Sequence, residues 1–253
     1  MNDETARAGV DTAGAAPVIA GAGLRSVRGW GMVAIAAMAA VVLLRTVDVV
    51  RDWSTYAGAR TLVASGIGAL RQSQLSELRS QTVFLLLTLL VVIPAVIAFP
   101  VWTARARGNA ELISARPHRR TRGWAVGSWF VPVANIWLPK IVIEDIWLAS
   151  DPATRSLPAG VGPRSVSGVT AWWGMLVALF VVYVVGSIAI PRPVVTYGAS
   201  GAVIDGAAAF TSAALGVAVV NTVLVALSGV ALWFAVGVIS QVGRWQEDCL
   251  TAR

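Results

Sequence analysis

A chain of 253 residues that is 57% hydrophobic and only 13% charged lies outside the balance of water-soluble domains, which run near a quarter charged. Its mean hydropathy of +0.72 is gathered into blocks about as long as a bilayer core is thick, which excludes a soluble enzyme, a collagen-like fibre and a disordered chain; one cysteine, Cys249, excludes a disulfide scaffold. The net charge of +7 is almost wholly arginine, Lys140 being the one lysine, and because those arginines flank apolar blocks they point to topology and lipid headgroups, with no nucleic acid as partner.

Residues 1–28 mix acidic and basic residues around an Ala/Gly-rich middle and read as a disordered tail. The rest, 29–253, reads as one membrane domain. A first span covers about 30–50, apolar through Leu44 and then carrying Arg45 and Asp48 near its far end. The two ionisable residues share a helix face, and so near the span's end they are expected to form a local ion pair with the arginine snorkelling to the interface, the alternative being that Asp48 pairs with Arg45 and holds this helix against a neighbour. A second span, about 82–102, is uncharged and contains Pro94, expected to kink it.

Between spans two and three lies a Trp-rich segment, 123–149. Its apolar part, 123–139, is broken by Pro132 and Pro139 and carries Asn135, which makes it short for a span and suited to a re-entrant or interfacial element. Trp124, Trp129, Trp137 and Trp147 favour the boundary between hydrocarbon and headgroups. From Lys140 the pattern is that of a short amphipathic helix ending at Ser150, Asp151 and Pro152, with Glu144 and Asp145 on its solvated face or docking a partner. Third and fourth spans follow at about 169–190, opened by Trp172 and Trp173, and at about 212–240, where Asn221 is expected to serve as interhelical glue. Small residues four apart, Ser212 with Gly216, Gly174 with Ala178 and Ala36 with Ala40, permit close helix approach.

The connection between spans two and three holds Arg105, Arg107, Arg116, Arg119, Arg120, Arg122, Lys140, Arg155 and Arg164, against Arg192 alone between three and four. The basic connection is therefore expected inside, which with four spans puts both termini in the cytoplasm of a plasma membrane; Arg51, Arg60, Arg71 and Arg79 in the first connection run against this count. Six arginines, 105, 107, 116, 119, 120 and 122, beside the tryptophans are expected to attract anionic lipid or a protein partner.

No arrangement with a catalytic mechanism stands out. A phosphate-cradling loop and a Gly-x-Ser-x-Gly elbow are missing, and the single histidine, His118, leaves no His-pair metal motif. It sits in PHRRTR and reads as a solvated loop histidine, with pH sensing at headgroups as the alternative. Glu144 and Asp145 are adjacent, point about 100° apart on a helix, and would not act as an acid/base pair. No catalytic, cofactor-binding or metal-binding residue is therefore expected, and no cofactor.

The run VWTARARGNAELI, the core GWAVGSWFVPVANIWLP from Gly123 to Pro139 and the pair Trp172-Trp173 resemble the bacterial membrane family catalogued as domain of unknown function 4328, common in actinobacteria. The resemblance covers roughly 80–250 and implies a multi-pass membrane protein with no catalytic residues to carry over. The expectation is an all-α polytopic bundle of four spans plus a re-entrant or interfacial segment. Its expected function is that of a non-enzymatic membrane component binding anionic lipid or a protein partner through a basic Trp-rich elbow, with a second copy of itself as the other partner considered. The alternative is a small transporter or channel in which 123–139 lines a cavity.

Overall fold

The computed structural model describes residues 23–65, 70–158, 161–163, 166–192, 196–197, 203–205 and 207–251. The fold is all-helical, and four of its helices are long and apolar enough to cross a membrane. They are α1 (Arg28–Ser65), α2 (Leu70–Ile113), α5 (Ser167–Ala189) and α6 (Ala207–Thr251); α3 (Trp124–Gly127), a 3₁₀ turn (Ala134–Ile136) and α4 (Leu138–Ser150) lie between α2 and α5. Thr196–Tyr197 and Val203–Asp205 form a minimal antiparallel ribbon (β1, β2) between α5 and α6.

Only α5, 23 residues or about 34 Å, matches a bilayer in length. Helices α1, α2 and α6 run to 38, 44 and 45 residues and project beyond it. The connection expected from Arg51 to Gln81 is accordingly helical through Ser65 and again from Leu70, since no proline interrupts either stretch and Gly58 alone does not end the first. The expected tail, 1–28, lies mostly outside the described residues; its end does not conform, because Val27 is fully buried and α1 begins at Arg28.

In sequence around the bundle, α2 packs on α1, α1 along α6, and α6 on α5. The close approach of α5 and α6 falls at Gly186, where a Cβ would lie 2.7 Å from Val220 Cγ1, and at Gly216, against Ile190; Gly174 has nothing near it. The membrane-facing helices expose Leu90, Phe180, Ile188 and Trp233 as lipid-facing residues should.

The buried core sits at the end of the bundle where α1 begins and α6 ends. Val142, Ile143 and Ile146 of α4 are enclosed there by Trp102, Trp172, Val238 and Val242. This corrects the reading of α4 as a helix lying on the leaflet: it begins and ends as expected, yet at 13 residues, about 20 Å, it is a plug sealed between α2, α5 and α6.

Candidate functional site

The elbow, 114–151, is fastened to the bundle by two polar systems. In the first, Arg119 Nε donates to Asp145 Oδ1 at 2.7 Å, its backbone N–H to Asp145 Oδ2 at 2.8 Å, and its Nη2 to Glu144 Oε2 at 3.0 Å. Lys140 Nζ stands 3.1 Å from Glu144 Oε1, close enough for an ion pair though not aligned as a hydrogen bond. Glu144 and Asp145 are 2% and 7% exposed, so the solvated face expected of them is overturned: buried carboxylates need partners, and Arg119 of the preceding loop and Lys140 of the first turn of α4 supply them. Burial alone would lower the pKa of Arg119; hydrogen bonds and charges from Asp145 and Glu144 outweigh it and raise it above its ordinary value.

The second system is uncharged. Asn109 Nδ2 donates to Arg25 O at 2.7 Å and to Gln246 Oε1 at 3.0 Å, while Arg25 N–H donates to Asn109 Oδ1. Gln246 Nε2 in turn donates to Ala106 O and to Ser150 Oγ. Asn109, Ser150 and Gln246 are all buried, and together they tie α2, α4, α6 and the segment before α1.

The six arginines divide. Arg107 is 3% exposed and engaged by Glu111 and Arg120 O, so it is removed from the headgroup-facing set. Arg105 lies 5.4 Å over the Trp30 ring, and Arg116 donates to Val161 O. Arg122 reaches Glu111 at 3.5 Å with its side chain 66% exposed, and Arg119 and Arg120 face outward in part or wholly. The tryptophans divide too: Trp129 joins Phe99 and Trp172 in an aromatic cluster, Trp147 packs edge-on against Trp245, and Trp124 lies against the core. Trp137 alone of the four is exposed.

What faces out is the loop after α3. Phe130, Val131, Val133, Ile136 and Trp137 are between 41% and 64% exposed within eight residues, and Asn135 is exposed among them. Trp173 Nε1 holds the loop to α5 through Ile136 O. At its tip Val133 has φ 65° and ψ −52°, with Ala134 N–H donating to Pro132 O at 2.7 Å: a γ-turn of the rare, strained kind, on a β-branched residue. Trp129 and Phe130 also line an apolar cavity of about 430 Å³ together with Val96, Phe99, Leu176 and Leu232.

Arg45 and Asp48 pair at 3.5 Å as expected. Their place near a span end is corrected, because they share a cavity of about 280 Å³ with Leu179, the middle of α5, and with Tyr183 and Asn221. Asn221 donates to Asp52 Oδ2 at 2.7 Å, and Trp53 to Thr222. That partnership went unread because Asp52 lies beyond the span's expected end.

His118 is no solvated histidine: its Nε2 is shielded and unpartnered. Burial, and then the charge of Arg107, lower its pKa from 6.5 to about 4, against opposing pulls from Asp145 and Glu111. The folded pKa lies below the unfolded one, so the neutral ring's stabilising contribution is complete above about 6.5 and is lost as pH falls toward 4. The unfolding temperature of the wild type should therefore drop more between pH 7 and pH 5 than that of His118→Leu; equal drops would show that the ring does not titrate with unfolding.

The family model described as Domain of unknown function (DUF4328) matches residues 69–242, well over half of the chain. No curated protein and no solved structure matches it. Helix α1, Arg25 and Gln246 fall outside the matched range, although Asn109 inside it bonds to both of the latter.

Proposed function

Since the chain belongs to the DUF4328 family of domains of unknown function, we propose a role from its own geometry: it is a non-enzymatic component of a bacterial plasma membrane, with both termini cytoplasmic, that grips anionic lipid through the elbow. The carrying observation is the apolar loop from Phe130 to Trp137, held at a strained turn on a helix buried in the core. Exposed apolar residues on a rigid mount insert into hydrocarbon, and strain of order 1–3 kcal/mol persists where the surroundings fix it for use. Outward-facing Arg120 and Arg122 supply the attraction to anionic headgroups.

The test places a bimane on Val133→Cys in a Cys249→Ser background, reconstituted into vesicles with and without phosphatidylglycerol. Blue-shifted emission, quenched by brominated acyl chains and weakened by Arg120→Gln/Arg122→Gln, is expected with phosphatidylglycerol. Water-like emission there would overturn the proposal.

One observation favours transport as a second reading. The apolar cavity lined by Trp129 and Phe130 and the cavity holding Arg45, Asp48 and Asn221 share Leu179 and Ser228. A bilayer-depth passage of mixed character is where a transporter would hold its cargo. Uptake or release of a solute that depends on Asp48 would distinguish it.

A further inference from the structure

A second surface feature lies away from the elbow. Between the start of α1 and the end of α6 runs a groove of about 550 Å³, and no residue of 114–151 lines it. Four charged side chains line it: Arg28 and Arg244 on one side of the balance, Glu247 and Asp248 on the other. Arg28 opens α1, whose positive end adds to the pull on an anion. Arg244 is steadied by Gln241 and Glu247 by Ser26, which donates to its Oε1 at 2.6 Å.

The floor is apolar and made accessible by glycine. Val27 and Ile239 form it, with Met32, 57% exposed, leading toward the bilayer-facing side of α1. Gly31 sits where a Cβ would lie 2.8 Å from Ile239 and 3.3 Å from Trp102 Nε1. Beneath it Trp102 is fully buried, and its Nε1 has no hydrogen-bond partner, an orphaned donor at the bottom of a groove. Gly243 has nothing within 4 Å of a Cβ and leaves the groove open.

We infer that this groove holds a zwitterionic phospholipid, of the phosphatidylethanolamine type. Two guanidiniums match its phosphate, two carboxylates match its ammonium, and the apolar strip from Ile239 to Met32 takes the start of an acyl chain. An anionic headgroup would leave Glu247 and Asp248 without a counter-charge and meet their repulsion. The groove's balanced charge separates it from the arginine-rich elbow, so the two sites select different lipids.

The experiment offers the detergent-solubilised full-length protein equal amounts of phosphatidylethanolamine and phosphatidylglycerol and counts the lipid retained by native mass spectrometry. The elbow is neutralised by Arg120→Gln/Arg122→Gln so that its own lipid does not confuse the count. The expected result is about fivefold preference for phosphatidylethanolamine, the ratio one surface charge pairing gives. Asp248→Asn should erase the preference while lipid is still bound. Gly243→Leu, whose Cβ meets no protein atom within 4 Å, should lower retention about fivefold at unchanged unfolding temperature. Equal retention of the two lipids, or full retention by Gly243→Leu, would overturn the assignment. So would competition by soluble glycerophosphoethanolamine as effective as by the lipid, since the site would then recognise a headgroup alone.

Discussion

Gln246→Leu should lower the unfolding temperature in detergent by roughly 6–12 °C, the shift that about 3 kcal/mol gives in a chain of this size. The leucine fills a similar volume, so the loss is polar. It removes an acceptor from Asn109 Nδ2 and donors from Ala106 O and Ser150 Oγ, in a place closed to water. Each buried group left unsatisfied costs about 1–3 kcal/mol, and Asn109 retains its fork to the Arg25 backbone, which keeps the sum near the lower end. Asn109→Leu should cost as much by a different route, releasing the segment before α1. The double variant should cost less than the two together, because the second change finds partners already gone. A shift under about 2 °C for Gln246→Leu would mean that the network is wet and not a fastening.

That network shows how far the sequence could be read. The four spans were legible from hydropathy alone, since lipid imposes one solution on each block. The distances over which α1, α2 and α6 continue past the bilayer were not, because hydropathy falls off at the interface while helix propensity continues. Gln246 lies beyond the fourth span's expected end, where hydropathy gives no sign of burial. The signal was present: Val238, Val242 and Gln246 are four residues apart on one face, and a glutamine continuing a buried stripe needs partners. The elbow was legible in composition and not in direction. Tryptophan suits both an interface and a core, and only packing against Phe99, Trp172 and Trp245 decided that Trp129 and Trp147 turn inward. Glu144 and Asp145 looked like a solvated face because their partner, Arg119, lies some 25 residues earlier on a loop whose path no periodicity discloses. The γ-turn at Val133 left no sequence trace at all, since valine is among the least suited residues for its φ.

Asp145→Ala should free the loop around Arg119 without dismantling the bundle. The carboxylate accepts two hydrogen bonds from Arg119, one from the side chain and one from the backbone, so alanine removes both the ion pair and the anchor of the chain itself. Breaking a fully buried pair costs about 3–5 kcal/mol. Arg119 is 43% exposed and re-solvates, so the expected loss is smaller, about 2 kcal/mol. The more telling readout is local: trypsin should cut after Arg119, Arg120 and Arg122 in the variant under conditions that spare the wild type, while the fragment carrying α5 and α6 stays intact. Asp145→Asn retains an acceptor for the Arg119 backbone N–H and should be cut more slowly than the alanine variant. If the elbow grips lipid as a rigid mount, the same alanine substitution should also abolish the blue shift of a bimane at Val133→Cys, although that position lies outside the latch. Retained blue shift in a trypsin-sensitive variant would separate the two, making insertion a property of the apolar loop alone and leaving the latch as a purely structural clasp.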